Sequence, residues 1–143
     1  MKKIYRASMT YLFLALAGGV FYREFTKFNG YTGKTTLAVV HPHLLLLGTF
    51  LFLLTALFAM QKKELLKTKQ FQRFFLLYNI ALPFMACMML ARGVLQVLGM
   101  ELTRSTNAMI SGIAGIAHIL MAVSLVLYFL ALKPCFVEKQ KKD

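Results

Sequence analysis

The sequence predicts an all-α integral membrane protein whose four helices cross the bilayer as a bundle. Hydrophobic residues make up 59% of the 143-residue chain, whereas soluble domains contain about 45–50%. The mean hydropathy is +0.65. The apolar residues also form four long stretches, and a helix of about 20 residues is enough to cross the hydrocarbon core of a bilayer. These observations favour a single integral membrane domain over residues 1–143, in contact with the lipid bilayer.

The limits of the four apolar stretches define the predicted spans. They cover about residues 5–25, 36–60, 71–100 and 106–132, and a basic tail follows over residues 133–143. Each stretch is too long and too uniformly apolar for a soluble strand. None shows the two-residue alternation of a barrel strand, so helices are the predicted spanning elements.

The first span has a competing interpretation as a cleavable secretory signal. Residues 1–18 combine a basic start, an apolar run and the small-residue sequence Ala15-Leu16-Ala17 before Gly18. The apolar run continues beyond Gly18 to Tyr22. This continuation favours a retained helix over a cleaved signal.

The distribution of positive charge predicts how the bundle is oriented. Most of the 17 Lys and Arg residues lie in the N-terminus, in the loop between the second and third spans, and in the tail. Short cytoplasmic loops carry such an excess of basic residues. We therefore expect both termini to face the cytoplasm. The net charge of +12 could also attract nucleic acid, but its placement beside the spans argues against that partner.

The polar residues inside the spans are the main indication of function. Apart from Glu24 at the outer edge of the first stretch, no Asp or Glu lies in a predicted span. This argues against a proton-coupled carrier, because proton relays use intramembrane carboxylates. Instead the three histidines of the chain all lie in spans: His41 and His43 in the second, His118 in the fourth. Neutral imidazole is a common ligand of metals and of haem iron.

The depths of these histidines predict a shared ligand. The second and fourth helices run in the same direction, and at about 1.5 Å per residue His43 and His118 differ in depth by about one turn. We therefore predict b-type haem, with His43 and His118 as axial ligands and His41 as the alternative. His41 and His43 are rotated by about 200° from each other on a helix. If the helix begins at Pro42, His41 caps it near the interface and only His43 lies deep.

Three other residues are candidates for binding the cofactor. Arg92, in the third span, could pair with a haem propionate or extend toward water, and Arg23 in the first outer loop could assist it. Gly115 belongs to a stripe of the fourth span, on which a flat macrocycle could lie with a histidine reaching its centre. The same small residues would equally let two helices pack closely. The stripe consists of Ser111, Gly115, His118 and Ala122.

Copper is the less favoured metal. The methionines near the middle of the third span, Met85, Met88 and Met89, could bind copper through their thioethers. Thioether side chains at such spacing are also ordinary packing residues. We therefore expect these methionines to fill the core of the bundle.

Four segments carry a resemblance to a known family. They are Phe21–Lys27, His41–Gly48, Arg92–Gly99 and Ile110–His118. Together they resemble a family of small bacterial membrane proteins catalogued as of unknown function, which implies the bacterial cytoplasmic membrane as the location. The resemblance extends over nearly the whole chain.

A more distant likeness is to the catalytic subunit of haem–copper oxidases. His41-Pro42-His43 is similar to the His-x-His pair of that subunit, whose imidazoles serve two different haems. That subunit contains three pseudo-symmetric four-helix repeats, and this chain is about one repeat long. The likeness implies a homo-oligomer and, by analogy, a trimer. The chain lacks a separate histidine set for the copper site and a His-Tyr pair, so oxygen reduction by one chain is not implied.

Three functions remain open from the sequence. The first is a haem b protein for electron transfer, gas sensing or haem handling. The second is a non-enzymatic scaffold or an accessory subunit of a respiratory complex, held by small-residue helix packing. The third is a small-solute transporter or channel.

Overall fold

The computed structural model describes residues 1–136 and is built from helices. The long helices are α1 (Lys2–Phe28), α2 (Leu37–Gln61), α3 (Lys69–Val97) and α4 (Arg104–Phe136), and a short 3-10 helix covers Lys63–Lys67. Each long helix has the length and apolar composition needed to cross a membrane. The predicted all-α four-helix fold is therefore confirmed, and the chain is a multi-pass membrane protein.

The helix limits differ from the predicted spans by a few residues at each end. The largest difference is in α4, which continues to Phe136 and so includes the first residues of the predicted tail. Lys133 lies in its last turn, where a positive charge interacts favourably with the helix dipole. The rest of the predicted tail, residues 137–143, lies outside the described residues.

The four helices pack in a sequential arrangement. α2 packs against α1 and α3, and α4 packs mainly on α3. α4 meets α2 toward the end of the bundle that carries the α2–α3 loop, called the inner end here because it is predicted to face the cytoplasm. There the Thr55 hydroxyl donates to the Tyr128 oxygen over 3.0 Å. At the same end, the rings of Phe58 and Phe136 meet edge to face. Toward the other end, α2 and α4 each pack on α3, and the space between α2 and α4 is called the cleft here.

An aromatic cluster fixes the inner half of the bundle. Phe52 of α2 and Phe74 and Tyr78 of α3 are fully buried. Phe52 meets Tyr78 edge to face at 5.7 Å, and Phe74 lies 4.7 Å from the ring of Tyr128 on α4. Such pairs contribute about 0.5–1.5 kcal/mol each beyond the burial of their surface. The cluster therefore holds three helices together below the cleft.

The middle of α2 is a π-helix over Leu44–Phe50. Its carbonyls are contacted from both sides: Tyr78 of α3 donates to the Leu47 oxygen over 2.7 Å, and Ser8 of α1 donates to the Thr49 oxygen over 3.1 Å. A π-helix inserts an extra residue into the turn and often marks a functional site. This one begins directly after His43, so it sets the direction of His43 relative to the inner half of α2.

Tyr78→Phe is expected to destabilise the protein by about 1 kcal/mol, because the buried Leu47 carbonyl loses its additional donor. Thermal unfolding in detergent micelles, followed by circular dichroism, measures the change. Tyr5→Phe is the matched control, because Tyr5 is 60% exposed and should leave the midpoint unchanged. Equal midpoints for the two variants would contradict a role for this hydroxyl.

The orientation of the bundle remains a prediction, and labelling of single cysteines tests it. In a background with Cys87 and Cys135 replaced, Thr32→Cys lies in the exposed α1–α2 loop and Gln61→Cys at the exposed inner end of α2. We expect a membrane-impermeant maleimide to label Thr32→Cys on intact cells and Gln61→Cys only after permeabilisation. The reverse pattern would contradict cytoplasmic termini.

Candidate functional site

His43 and His118 make the same hydrogen bond to their own helices. The Nδ1 atom of His43 lies 2.6 Å from the Val39 carbonyl oxygen, and Nδ1 of His118 lies 2.8 Å from the Ala114 carbonyl oxygen. A carbonyl oxygen only accepts hydrogen bonds, so Nδ1 carries the proton and Nε2 keeps its lone pair. Metal-bound histidines commonly donate their second ring N–H to a carbonyl in this way. In both predicted ligands, Nε2 therefore keeps a lone pair that could bind a metal.

The contacts that α2 and α4 make with α3 indicate similar depths for the two histidines. Thr36 of α2 donates its hydroxyl to the Met89 carbonyl of α3, and Ser111 of α4 accepts from Arg92, also of α3. His43 follows Thr36, and His118 follows Ser111, by the same number of residues, which corresponds to about 10 Å of helix. Both histidines therefore lie about two turns inward of the same part of α3.

The same spacing also decides which faces carry the histidines. Residues seven apart lie on one face of a helix, two turns from each other. His43 therefore shares the face of Thr36, which contacts α3, and His118 shares the face of Ser111, which contacts Arg92. Helix geometry thus puts each histidine on the same side of its helix as a residue that contacts α3; His43 is half-buried and His118 is exposed.

An apolar groove of about 550 Å³ continues the cleft inward. α2 lines it with Leu46, Phe50 and Leu51, and α4 lines it with Leu125 and Phe129. Toward the outside, a smaller cavity of about 270 Å³ is lined by polar side chains from α2, α3 and α4, among them Thr36, Arg92, Gln96 and Asn107. Along α2 and along α4, each histidine lies between these two cavities. The outer cavity is thus partly polar and the inner groove is apolar, and His43 and His118 lie between their lining residues along the two helices.

His41 has a different environment from His43. It packs against α1, where a Cβ atom on Gly19 would lie 3.6 Å from its Cγ. Its Nδ1 is buried and has no hydrogen-bond partner among residues 1–136. A histidine without a partner on its second nitrogen lacks the contact that orients a metal ligand. The structure therefore packs His41 against α1, whereas His43 and His118 each bond through Nδ1 to a carbonyl of their own helix.

The interpretation of His41 as a cap at a helix start is wrong. The helix begins at Leu37, so both histidines lie within it. The Gln96 side-chain oxygen accepts from the Thr36 backbone N–H over 2.8 Å and satisfies one of the free donors at the helix start. This contact from α3 lets the helix begin before Pro42.

Arg92 lines the outer cavity, and its side chain extends from α3 toward α4. Its Nη2 donates to the Asn107 side-chain oxygen over 2.7 Å and to the Ser111 hydroxyl over 3.1 Å. It thereby connects α3 to α4 at the outer end of the histidine-bearing face. Sequence reasoning missed Asn107, although Asn107, Ser111 and His118 fall on one helical stripe. It also missed the π-helix, for which the leucine run gave no signal.

Two of the predicted residues lie elsewhere. Arg23 is exposed on α1, where it forms an ion pair of 2.8 Å with Glu24, and α1 packs on α2. Gly115 is exposed on α4, and a Cβ atom there would meet nothing within 4 Å. No other helix among residues 1–136 covers this part of the small-residue stripe.

The structure shows how the methionines and the other candidate metal ligands are placed. Met85 and Met89 are buried in the core, in agreement with packing. Among residues 1–136, no three His, Cys, Asp or Glu side chains come together as a group that could hold a metal ion. A metal at this site would therefore need the two histidines and a ligand that brings its own donors, such as a macrocycle.

Comparison with known proteins gives one match. The sequence profile of a family described as "protein of unknown function (DUF2871)" matches residues 1–135. No curated protein and no solved structure matches the chain. The likeness of His41-Pro42-His43 to the haem–copper oxidases stays a prediction from the sequence.

Proposed function

Because the chain belongs to the DUF2871 family, whose description assigns no activity, we propose its function from the cleft: it is a b-type haem-binding integral membrane protein. His43 and His118 are the proposed axial ligands of the iron. The observation that supports the proposal is that both imidazoles bond through Nδ1 to a carbonyl of their own helix. This arrangement leaves two Nε2 lone pairs as neutral nitrogen donors.

The surroundings of the histidines suit a flat, amphipathic ligand. The groove lined by Leu46, Phe50 and Leu125 would take an apolar edge, since pockets for cofactors are mostly apolar. The outer cavity at Arg92 would take a polar edge. Haem bound here would supply one-electron chemistry. The chain's own residues would orient it and keep water from its apolar side.

Ligation by two histidines favours electron transfer or haem handling. If His43 and His118 both held the iron, a diatomic gas would have no free position to bind. Gas sensing would need one histidine to leave. His41 is the less suitable alternative ligand, because it packs against α1 and its Nδ1 has no partner among residues 1–136.

We propose that the protein forms a homo-oligomer, by analogy a trimer, in the bacterial cytoplasmic membrane. The outer half of α4 supports self-association, because its small and polar residues are exposed in one chain. Cβ atoms on Gly112 and Gly115 would meet no neighbour within 4 Å. Small residues of this kind let helices of neighbouring chains approach closely.

The same uncovered face favours a second candidate function. The protein could be a non-enzymatic scaffold or accessory subunit that docks through Gly112 and Gly115. This function makes no use of the imidazoles, so the histidines would be replaceable without loss of assembly. Oligomeric state and haem content of one preparation therefore separate the two functions.

The optical spectrum of the purified protein tests the proposal. Protein from haem-sufficient cells is expected to show a Soret band, with about one haem per chain, and haem-free protein is expected to recover the band when haem is added. A colourless protein that takes up no haem would exclude the haem function and leave the scaffold.

A further inference from the structure

Arg92 carries a positive charge inside the last two turns of α3, and its partners are neutral. Its guanidinium donates to the Asn107 amide oxygen and to the Ser111 hydroxyl. The ion pairs among residues 1–136 are Arg23–Glu24 and Lys67–Glu64, so no described carboxylate compensates Arg92. A charge at such a depth normally pairs with an opposite charge or marks a functional pathway.

The cavity beside Arg92 presents hydrogen-bond donors. Gln96 uses its side-chain oxygen to accept from the Thr36 backbone N–H, and Asn107 uses its oxygen to accept from Arg92. Among residues 1–136, both amide NH₂ groups therefore remain as donors, together with the remaining N–H groups of the guanidinium. The Thr36 hydroxyl already donates to the Met89 carbonyl. A cation surrounded by free donors selects an anion.

We propose that this outer cavity binds an oxyanion, the carboxylate or phosphate group of a larger molecule, with Arg92 as its charged partner. A guanidinium can hold either group through two parallel hydrogen bonds. The cavity volume of about 270 Å³ exceeds that of one such group, and Gln96 and Asn107 line it with amide groups that could donate to the oxyanion.

Two sources supply this chemistry. One is the carboxylates of the flat ligand held at His43 and His118, about two turns further in; this source rests on the proposed function. The other is the phosphate of an anionic phospholipid, and it does not depend on haem. The experiment has one arm for each source.

The first arm compares haem with haem dimethyl ester, whose carboxylates are blocked. Both are titrated into haem-free protein, wild type and Arg92→Gln, and binding is followed by the Soret band. If the ligand supplies the oxyanion, wild type binds haem at least about tenfold more tightly than the ester, since charge-assisted bonds are the strong ones. Arg92→Gln then binds the two equally, and Arg92→Lys keeps part of the preference.

The second arm measures thermal stability in nanodiscs of phosphatidylglycerol or phosphatidylcholine. If the lipid supplies the oxyanion, phosphatidylglycerol raises the midpoint of wild type and not of Arg92→Gln. Arg104→Gln is the matched control for both arms, because it removes an exposed charge at the start of α4 and does not line the cavity.

The site is supported if Arg92→Gln loses the preference for haem over its ester, or the stabilisation by phosphatidylglycerol, while Arg104→Gln keeps it. The arm in which this happens identifies the source of the oxyanion. If wild type shows no preference in both arms, or if Arg104→Gln loses it equally, the oxyanion site is excluded. If neither haem nor its ester binds, the proposed haem function fails, and the lipid arm alone decides the oxyanion site.

Discussion

Replacement of His118 by alanine is expected to abolish the low-spin haem spectrum and to lower haem affinity by more than about 100-fold. Loss of a residue that only supports a metal ligand costs up to about 100-fold, so loss of the ligand itself should cost more. His118 is the proposed axial ligand from α4, and its Nδ1 bond to Ala114 directs Nε2 away from its own backbone. His43→Ala should have the same effect from α2. Titration of haem into each purified variant measures the affinity.

His41→Ala is the matched control for this prediction. His41 lies two residues from His43 on the same helix, but it packs against Gly19 of α1. The His41→Ala variant should therefore keep the haem spectrum and the haem affinity of wild type. A haem band that survives in both His43→Ala and His118→Ala would contradict the ligand assignment, and so would its loss in His41→Ala alone.

Gly93→Ala is expected to produce the largest loss of stability, about 1–3 kcal/mol or more, by overpacking the α2–α3 contact. A Cβ atom at Gly93 would lie 2.5 Å from Leu37 Cγ and 2.6 Å from the Leu37 backbone nitrogen. A backbone nitrogen cannot move aside by a change of rotamer, so α2 would have to move away from α3. Thr35, which donates to the Gly93 carbonyl over 3.1 Å, would lose its partner as well.

Gly112→Ala is the control for this substitution. Gly112 also lies in a transmembrane helix, but a Cβ atom there meets nothing within 4 Å in a single chain. Denaturation in detergent should therefore show a lower midpoint for Gly93→Ala and little change for monomeric Gly112→Ala. Equal midpoints would contradict the close contact of α2 with α3.

The fold could be predicted because a single physical requirement governs it. Lipid offers no hydrogen bonds to the backbone, so apolar stretches of this length must be helices. The helix ends were less certain, since capping contacts come from other helices. The start of α2 shows this, because the Gln96 side chain of α3 satisfies the Thr36 N–H and allows a start before Pro42.

The site could be predicted in part. The sequence identifies three intramembrane histidines, and helical periodicity places His41 and His43 on different sides of α2. Periodicity alone does not tell which of them faces the cleft, because that depends on long-range contacts. Gly19 admits the ring of His41 next to α1, while the face of Thr36 is tied to α3.

The direction of Arg92 also depended on a tertiary contact. From the sequence, an arginine near a helix end could equally extend toward water or pair with a ligand. The side chain instead crosses to Asn107 and Ser111 of α4. The neighbouring helix therefore decides a choice that the local sequence leaves open.

The most direct test of the account is low-temperature electron paramagnetic resonance of the oxidised, purified protein, combined with its iron content. The central claim is that His43 and His118 share one iron-bearing ligand. The account predicts about one iron per chain and a low-spin ferric signal with two imidazole ligands, which changes when either histidine is replaced. Absence of iron, or a low-spin signal that neither replacement alters, would contradict it.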